Sequence, residues 1–489
     1  MIFNDSDFNK HWPTKTLNEL GIFKRGKSKH RPRNDKRLFD GGNIPLIQTG
    51  EVKQANIFIQ SHSANYNSFG LAQSKIWPKG TLCITIAANI AETSILDYEM
   101  CFPDSIVGFN AFQEKCSEVF MHYIFTYIRS SIQTRIQGSI QDNINIEYLT
   151  GLKFKIPENQ ERQRIESLLF ALDAKIEVNN KINQELEAMA KLVYDYWFVQ
   201  FDFPMPKDYA ASICKPKLAG KPYKTSGGKM VYNNELKREI PKGWEDGVIA
   251  DLIKNDKSGD WGKDEVQGNY TVGVSCIRGA DINGINGQGE VKAPKRFILE
   301  KNTHKILEPF DLVVEISGGS PTQSTGRLTY ITEATQERFD NPLICSNFCK
   351  ALTLKEPKSL FNFVFEWNRL YEAGVLFGWE GKTSGIKNLL FENFVTNHKI
   401  PLIPTELMNQ FFDKVYPIHQ KIQKNLLENQ KLAELRDWLL PMLMNGQVRV
   451  AHSLEKGNLK EAYDEVEDVV SGPDSYREAA EDGIKYGDG

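Results

Sequence analysis

No apolar run in the chain approaches the ~20 residues needed to span a bilayer. Its opening, MIFNDSDFNK, is acidic and polar, unlike the basic and then apolar start of a secretory leader, so a membrane location is not expected and a cytoplasmic one is. Cysteine is scarce: seven residues at positions 83, 101, 116, 214, 276, 345 and 349, with no CxxC pair, as for reduced, buried thiols rather than a disulfide framework. Excess charge of one sign is missing too. Sixty Lys and Arg face 63 Asp and Glu, for a net charge of -3, so bulk charge names no partner. With 489 residues, 40% hydrophobic and 25% charged, this is an ordinary globular composition, long enough for three domains or two large ones.

Catalytic signatures are equally absent. GWEGKTSG (Gly378 to Gly385) holds the GKT of a phosphate loop, but Leu376 stands where its first glycine belongs, so the backbone nest around a phosphate is not expected. Asp40 with Glu51-Val-Lys53, or Asp281 with Glu290-Val-Lys292, superficially matches a metal nuclease, yet the two sets fall at inequivalent places. NPLI at Asn341 lacks the second proline and the aromatic that an amino-methyltransferase uses on a flipped base. The eight histidines form no pair at metal-ligand spacing, no GxSxG exists, and Cys345 and Cys349 have no third ligand in view. No catalytic residue, metal site or cofactor is assigned to this chain. A catalytically active DNA nuclease or methyltransferase with an unrecognised site is the alternative, and a protein-only adaptor a third reading.

What is present is charge segregation. His452 to Gly489 carries eleven acids and four bases, leaving the preceding 451 residues at +4. Lys24 to Arg37, KRGKSKHRPRNDKR, packs eight Lys and Arg against one Asp. With Pro32 inside it the run reads as a loop, and such mutually repelling cations suit a polyanion that lets them shed counterions.

The chain also repeats. Trp12, Leu17 and Leu20 match Trp244, Ile249 and Leu252 at an offset of 232; WPKGTLCITIAA resembles EPFDLVVEISGG; LKFKIP parallels NHKIPL at an offset of 244. Each copy reads as a mixed domain of short β-branched strands, such as IPLIQTG, TLCITIA, YTVGVSCI and DLVVEI, followed by a long helical pattern. The expected division is a first domain over 1–156, a helix over 157–200, a Pro-, Gly- and Lys-rich connector over 201–243, a second domain over 244–400, a second helix over 401–447 and an acidic tail over 448–489.

Heptad counting places Ile165, Leu172, Asn179, Leu186 and Val193 in one series and Leu168, Lys175, Ile182, Met189 and Tyr196 in the other. In the second helix Met408, Val415, Ile422, Asn429 and Arg436 alternate with Phe411, Ile418, Asn425, Leu432 and Leu439. Each stripe needs a partner, and the other helix is the nearest one. The seam is therefore expected to use Leu172, Asn179, Ile182, Leu186 and Met189 against Ile418, Ile422, Asn425, Asn429 and Leu432. Polar positions near mid-length (Lys175, Asn179, Asn425, Asn429) would set an antiparallel register, with the mixed domains at opposite ends.

Two Trp-led mixed domains, each closing on Lys-Ile-Pro and a heptad helix, with GKPYKTSGGKMVYNNELKREIPKGW between them, resemble the specificity subunit of a type I DNA restriction-modification enzyme. IPENQERQRIESLLFALDAKIEVNNKINQELEAMAKLVYDYWF is typical of that family's first helix. The resemblance covers Trp12 to about Val450. It implies an α+β fold: two tandem mixed α/β target-recognition domains separated by two long antiparallel helices in a coiled coil, with pseudo-twofold symmetry. It further implies a non-catalytic subunit that reads a bipartite, asymmetric site in double-stranded DNA. Two methyltransferase subunits and the restriction, or motor, subunits would be its partners, and S-adenosylmethionine, ATP and Mg²⁺ would belong to them. The acidic segment is a departure from the family's usual ending.

Candidate DNA contacts follow from residue type. In the first domain Arg25, Lys27, Lys29, Arg31 and Arg33 would hold phosphates, with Gln48 and Thr49 at base edges. In the second, the candidates are Arg278, Lys292, Lys295 and Arg296, with Gln323, Ser324 and Arg327 of GGSPTQSTGR. Arg suits guanine and Gln suits adenine in bidentate pairing.

Overall fold

The structure is a computed structural model that describes residues 8–137, 144, 146–287, 289–320, 322–383 and 386–450. The acidic segment from His452 onward lies outside the described residues, as do two residues of GWEGKTSG. The chain divides into two compact units, Met1–Val178 with Asn429–Gly489, and Asn179–Glu428.

The first unit is built on a five-stranded sheet ordered Gly21–Arg25, Ile106–Ala111, Leu82–Thr85, Thr93–Leu96 and Phe58–Ile59. A four-stranded sheet follows Ala64–Tyr66, Ile44–Leu46, Met100–Cys101 and Ile76–Trp77. Leu82–Thr85 is buried at every position, as expected of a strand covered on both faces. Its Leu82 and Ile84 join Val107, Phe109, Phe120 and Ile124 of helix Glu118–Gln137 in one core. Thr14–Thr16 pairs antiparallel with Lys153–Lys155, and Trp12 Nε1 donates to Glu161 at 3.2 Å, which joins the start of the unit to its long helix.

The second unit repeats the scheme. Ile253–Ser258, Cys349–Leu354, Leu312–Glu315 and Leu328–Tyr330 form one sheet, and Lys295–Leu299, Tyr270–Ile277 and Leu343–Cys345 another. Glu245–Val248 pairs antiparallel with Lys399–Leu402, the counterpart of the Thr14–Thr16 pair. In both units the opening strand lies beside the last long strand, which lies beside the buried strand after the Pro turn. Residues 201–243 are packed rather than loose: they hold helix Lys207–Ser212 and hairpin Met230–Asn233 with Arg238–Pro241. Their Phe203, Met205, Tyr223 and Ile240 are buried in the second unit's core.

Two long helices, Asn159–Tyr194 and Thr405–Met444, run through both units. In the first unit Ile165 and Leu169 share a core with Leu440, Leu443 and Met444, and Arg436 binds Asp173 at 2.6 Å. In the second, Asn179 donates to Glu428 and Asn425 to Asn183, both at 2.8 Å, while Tyr194 packs on Phe411. Partner numbers fall on one helix as they rise on the other, so the pairing is antiparallel.

Within the expected seam, Asn179, Ile422 and Asn425 are buried, whereas Leu172, Ile182, Leu186, Ile418, Asn429 and Leu432 are half-buried. Met189 is a correction: it is 55% exposed. The buried stripe runs instead through Arg162, Ile165, Leu169, Asp173, Asn183, Ala190 and Tyr194. A strict seven-residue series drifts about 20° per heptad on a helix of 3.6 residues per turn, which carries position 189 out of the contact. Lys175 is likewise exposed, and Asn183 supplies the buried amide opposite Asn425. Six of the seven cysteines are buried; Cys214 is exposed.

Candidate nucleic-acid interface

The basic run leaves the sheet edge at Arg25 and is held down by its backbone. Gly26 N donates to Ile106 O at 2.8 Å and Lys27 N to Phe102 O at 3.2 Å. Gln73 Oε1 accepts from the Lys29 and His30 amides at 2.7 and 3.0 Å, and Ser74 Oγ donates to Lys27 O at 2.9 Å. Gly26 is required by space: a Cβ there would lie 2.2 Å from Pro103 O.

A fixed backbone leaves the side chains outside. Lys24, Arg25, Lys29, Arg31, Arg33, Lys36 and Arg37 are exposed and Lys27 half-buried. Two carboxylates organise them. Asp104 binds Arg33 at 2.6 Å and Arg31 at 3.6 Å, while Arg25 Nε donates to its backbone carbonyl. Asp35 lies between Arg37 at 2.7 Å and His30 at 2.8 Å, and the Arg37 hydrogen bond above all holds its carboxyl far below the usual range. Lys24, Lys27, Lys29 and Lys36 have no ion pair among the described residues. Asp104 and Gln73 were not anticipated; each meets the loop from more than 40 positions away in sequence, and no local spacing signals that.

Gln48 and Arg278, aligned by the repeat, hold the same structural position. Gln48 precedes helix Thr49–Gln54 and its amide donates to Glu51 at 3.0 Å. Arg278 precedes the short turn Gly279–Asp281 and its amide donates to Asp281 at 2.9 Å. Glu51 and Asp281, considered above as nuclease acids, are thus equivalent capping carboxylates. Gln48 is exposed and Thr49 half-buried. Arg278 is clamped further: its guanidinium makes two 2.9 Å bonds to Asp281, which also accepts from Lys292 N at 2.9 Å. Burial works against the Asp281 carboxylate, but these donors outweigh it and its pKa is lowered. The Arg278 side chain stays 33% exposed, so it is oriented without being hidden.

The other second-unit candidates divide. Lys292 and Lys295 are exposed, Lys292 beside Glu290 at 3.2 Å. Gln323 is exposed at the tip of its loop, where Lys387 donates to its carbonyl at 3.1 Å and Ser324 Oγ to Glu380 at 3.1 Å. Arg296 and Arg327 depart from the expectation of free contacts. The Arg296 side chain is 7% exposed, paired with Asp264, donating to Trp261 O at 2.8 Å and lying over the Trp261 ring. Arg327 forms a two-pronged pair with Glu315 at 2.6 and 2.9 Å. Arg296 has its guanidinium committed to the fold, and Arg327 spends Nε and Nη2 on Glu315 with its side chain 16% exposed, because a buried arginine needs a carboxylate to offset its desolvation. Among the described residues no cluster of three or more His, Cys, Asp or Glu could hold a metal ion, and no helix is long and apolar enough to cross a membrane.

Two copies of a mixed α/β unit, a pair of long antiparallel helices and an anchored cationic loop define the class, a duplicated α+β protein with an exposed basic loop. The family model for the type I restriction modification DNA specificity domain matches residues 9–188. The chain is 23% identical to the type I restriction enzyme MjaIX specificity subunit of Methanocaldococcus jannaschii, over 92% of this chain and 96% of that one. It is 24% identical to the HindI specificity subunit of Haemophilus influenzae, over 85% and 97%. A crystal structure of the type I restriction-modification system S subunit from M. genitalium aligns with 90% of this chain and 97% of that chain, at 15% identity and a TM-score of 0.49. The chain is thus similar to type I restriction enzyme specificity subunits over most of its length, and residues 9–188 match the model of their DNA specificity domain.

Proposed function

We propose that this chain reads a bipartite, asymmetric site in double-stranded DNA and directs the methyltransferase and restriction subunits of a type I system to it. One observation carries the DNA contact: a loop of eight cations whose backbone is bound to the sheet while its amino and guanidinium groups stay outside. Ordering the loop beforehand removes part of the entropy that phosphate binding would otherwise cost. In this reading Arg25, Lys27, Lys29, Arg31 and Arg33 contact phosphates, as do Lys292 and Lys295 in the second unit. Gln48, Thr49, Arg278, Gln323 and Ser324 are the base-edge candidates. Arg278 is favoured because its clamp presents a guanidinium edge in one orientation, as bidentate guanine readout requires. Arg296 and Arg327 support the fold.

The unread spacer is set by the long helices. Thirty-six and 40 residues at about 1.5 Å per residue are roughly 54 to 60 Å long, which suits half-site centres roughly one to one and a half turns of B-DNA apart. The chain itself catalyses nothing in this reading and holds no cofactor. S-adenosylmethionine, ATP and Mg²⁺ act in two methyltransferase subunits and the restriction subunits, in the cytoplasm. Sequencing methylated bases in host DNA with the gene present and deleted tests the proposal. A split motif that is methylated only with the gene present is expected; an unchanged methylome refutes it.

A further inference from the structure

We propose that the second unit holds one small planar oxyanion, of the carboxylate and bicarbonate class, between Arg238 and Asn362. The inference does not depend on the DNA reading. Both side chains line one cavity of about 50 Å³. Arg238 opens the second strand of the connector hairpin, and Asn362 stands in the first turn of helix Leu360–Glu372, so the cavity lies where the connector meets that helix.

Asn362 is the first support. It is 5% exposed, yet neither its amide nitrogen nor its oxygen has a hydrogen-bond partner among the described residues. A buried amide left without bonds is costly, and a bound water or ion is one way such a group is satisfied.

Arg238 is the second. Its side chain donates from Nη2 to Val199 O at 3.3 Å and lies 4.7 Å from the centroid of the Phe201 ring. Arg278, Arg296, Arg327 and Arg369 each hold a carboxylate; Arg238, half-buried, holds none among the described residues. Burial, and then the nearby Arg369, draw its pKa down, as for a cation that lacks a counterion.

Charge is the third. The charged side chains on the described cavity wall are Arg238, Glu366 and Arg369, a sum of +1. Glu366 is already committed: Arg369 donates to its two oxygens at 2.6 and 2.8 Å, and the Tyr194 hydroxyl donates to it at 2.9 Å. The vacant partner is therefore an anion.

Size and bonding select which anion. One water needs about 10 to 15 Å³, so the cavity takes an ion of roughly three or four heavy atoms. Trp244, Phe363 and Trp367 are among its walls, and an apolar lining strengthens a charge-assisted bond. A planar carboxylate accepts two parallel N–H bonds from a guanidinium, and a third can come from Asn362 Nδ2. Asn362 Oδ1 is then left to accept from the hydroxyl of bicarbonate, or from a water beside acetate. The bound ion ties the connector hairpin to helix Leu360–Glu372.

The test uses the full-length chain as parent, R238Q and N362L. Hydrogen exchange of the hairpin Met230–Asn233 with Arg238–Pro241 is followed at constant ionic strength with ~50 mM sodium acetate, bicarbonate or chloride. In the parent, acetate and bicarbonate are expected to slow exchange of the hairpin by about tenfold relative to chloride. In R238Q and N362L the difference should fall below about twofold. In chloride, N362L should be at least as protected as the parent, because leucine removes a buried unpaired amide without leaving another; if it is less protected, R238Q alone decides. Equal exchange in the three salts in the parent overturns the inference and leaves the cavity to water. A response kept by R238Q, or by a well-protected N362L, also overturns it, as a general salt effect.

Discussion

Asn425 donates its side-chain amide to Asn183 Oδ1 at 2.8 Å, with both residues almost fully buried between the two long helices. Among the described residues the Asn183 amide nitrogen has no partner of its own, so the pair is not a stability optimum. Its value lies in register, since one helix slipping along the other would bury two unpaired amides. Asn425→Leu alone leaves Asn183 stranded and is expected to cost about 2 to 3 kcal/mol in urea unfolding. The double replacement by Leu should recover most of that loss. Additive losses in the double variant would contradict the register role.

Asp173 is another buried polar group of the helix pair. It binds Arg436 and accepts from the Tyr123 hydroxyl at 2.8 Å. Arg436→Met removes the cation that pairs, among the described residues, with a carboxylate that is 2% exposed, and about 3 kcal/mol of destabilisation is expected. Adding Asp173→Leu should relieve part of it, read from the same melts.

Neutralising Lys27, Lys29 and Arg31 should lower the dependence of log K on log salt by up to ~0.9 per lost phosphate contact, so by as much as ~2.7 in all. The loss should be similar for every duplex sequence. Arg278→Lys, by contrast, should relax preference at one base position by about 1 to 3 kcal/mol, with little change in the salt slope. A sequence-independent loss on that substitution would place Arg278 among the phosphate contacts.

Acid sensitivity follows from two histidines, one in each unit. Burial holds His122 and His419 down to about 3, against an ordinary 6.5. The unfolded chain binds their protons first, so the stability they leave intact above pH 6.5 is lost as pH falls towards 3, by up to ~1.4 kcal/mol per pH unit each. Glu166 and Glu187, both raised by burial to about 7, act oppositely and recover stability between pH 7 and 4.5. With two groups on each side, urea midpoints should change little from pH 6.5 to 5 and fall below about pH 4.5, where only the histidines still titrate, while in His122→Asn they should rise from pH 6.5 to 5.

The repeat, the mixed fold and the helix pair were legible because they rest on local, recurring signals: Trp-led strands, Lys-Ile-Pro and long apolar stripes. The contact face of the first helix was not. Counting apolar residues cannot find a seam that includes Asp173, paired with Arg436, and Asn183, bonded to Asn425, and it assigned the exposed Met189 to the contact instead. The DNA candidates show the same limit. Residue type singled out Arg278 and Arg296 alike, but only the positions of Asp281, Asp264 and Trp261 distinguish a guanidinium held at the surface from one consumed inside.

Leu440, Leu443 and Met444 complete the core that begins with Trp12 and Leu17. A ribosome that has finished the first 178 residues has therefore made an opening unit whose hydrophobic interior still lacks a wall, and nearly the whole remainder of the message must be translated before that wall arrives. The two halves of this protein are consequently not independent in biogenesis, and shuffling one reading unit for another between relatives would have to carry along the distant helix residues that seal it.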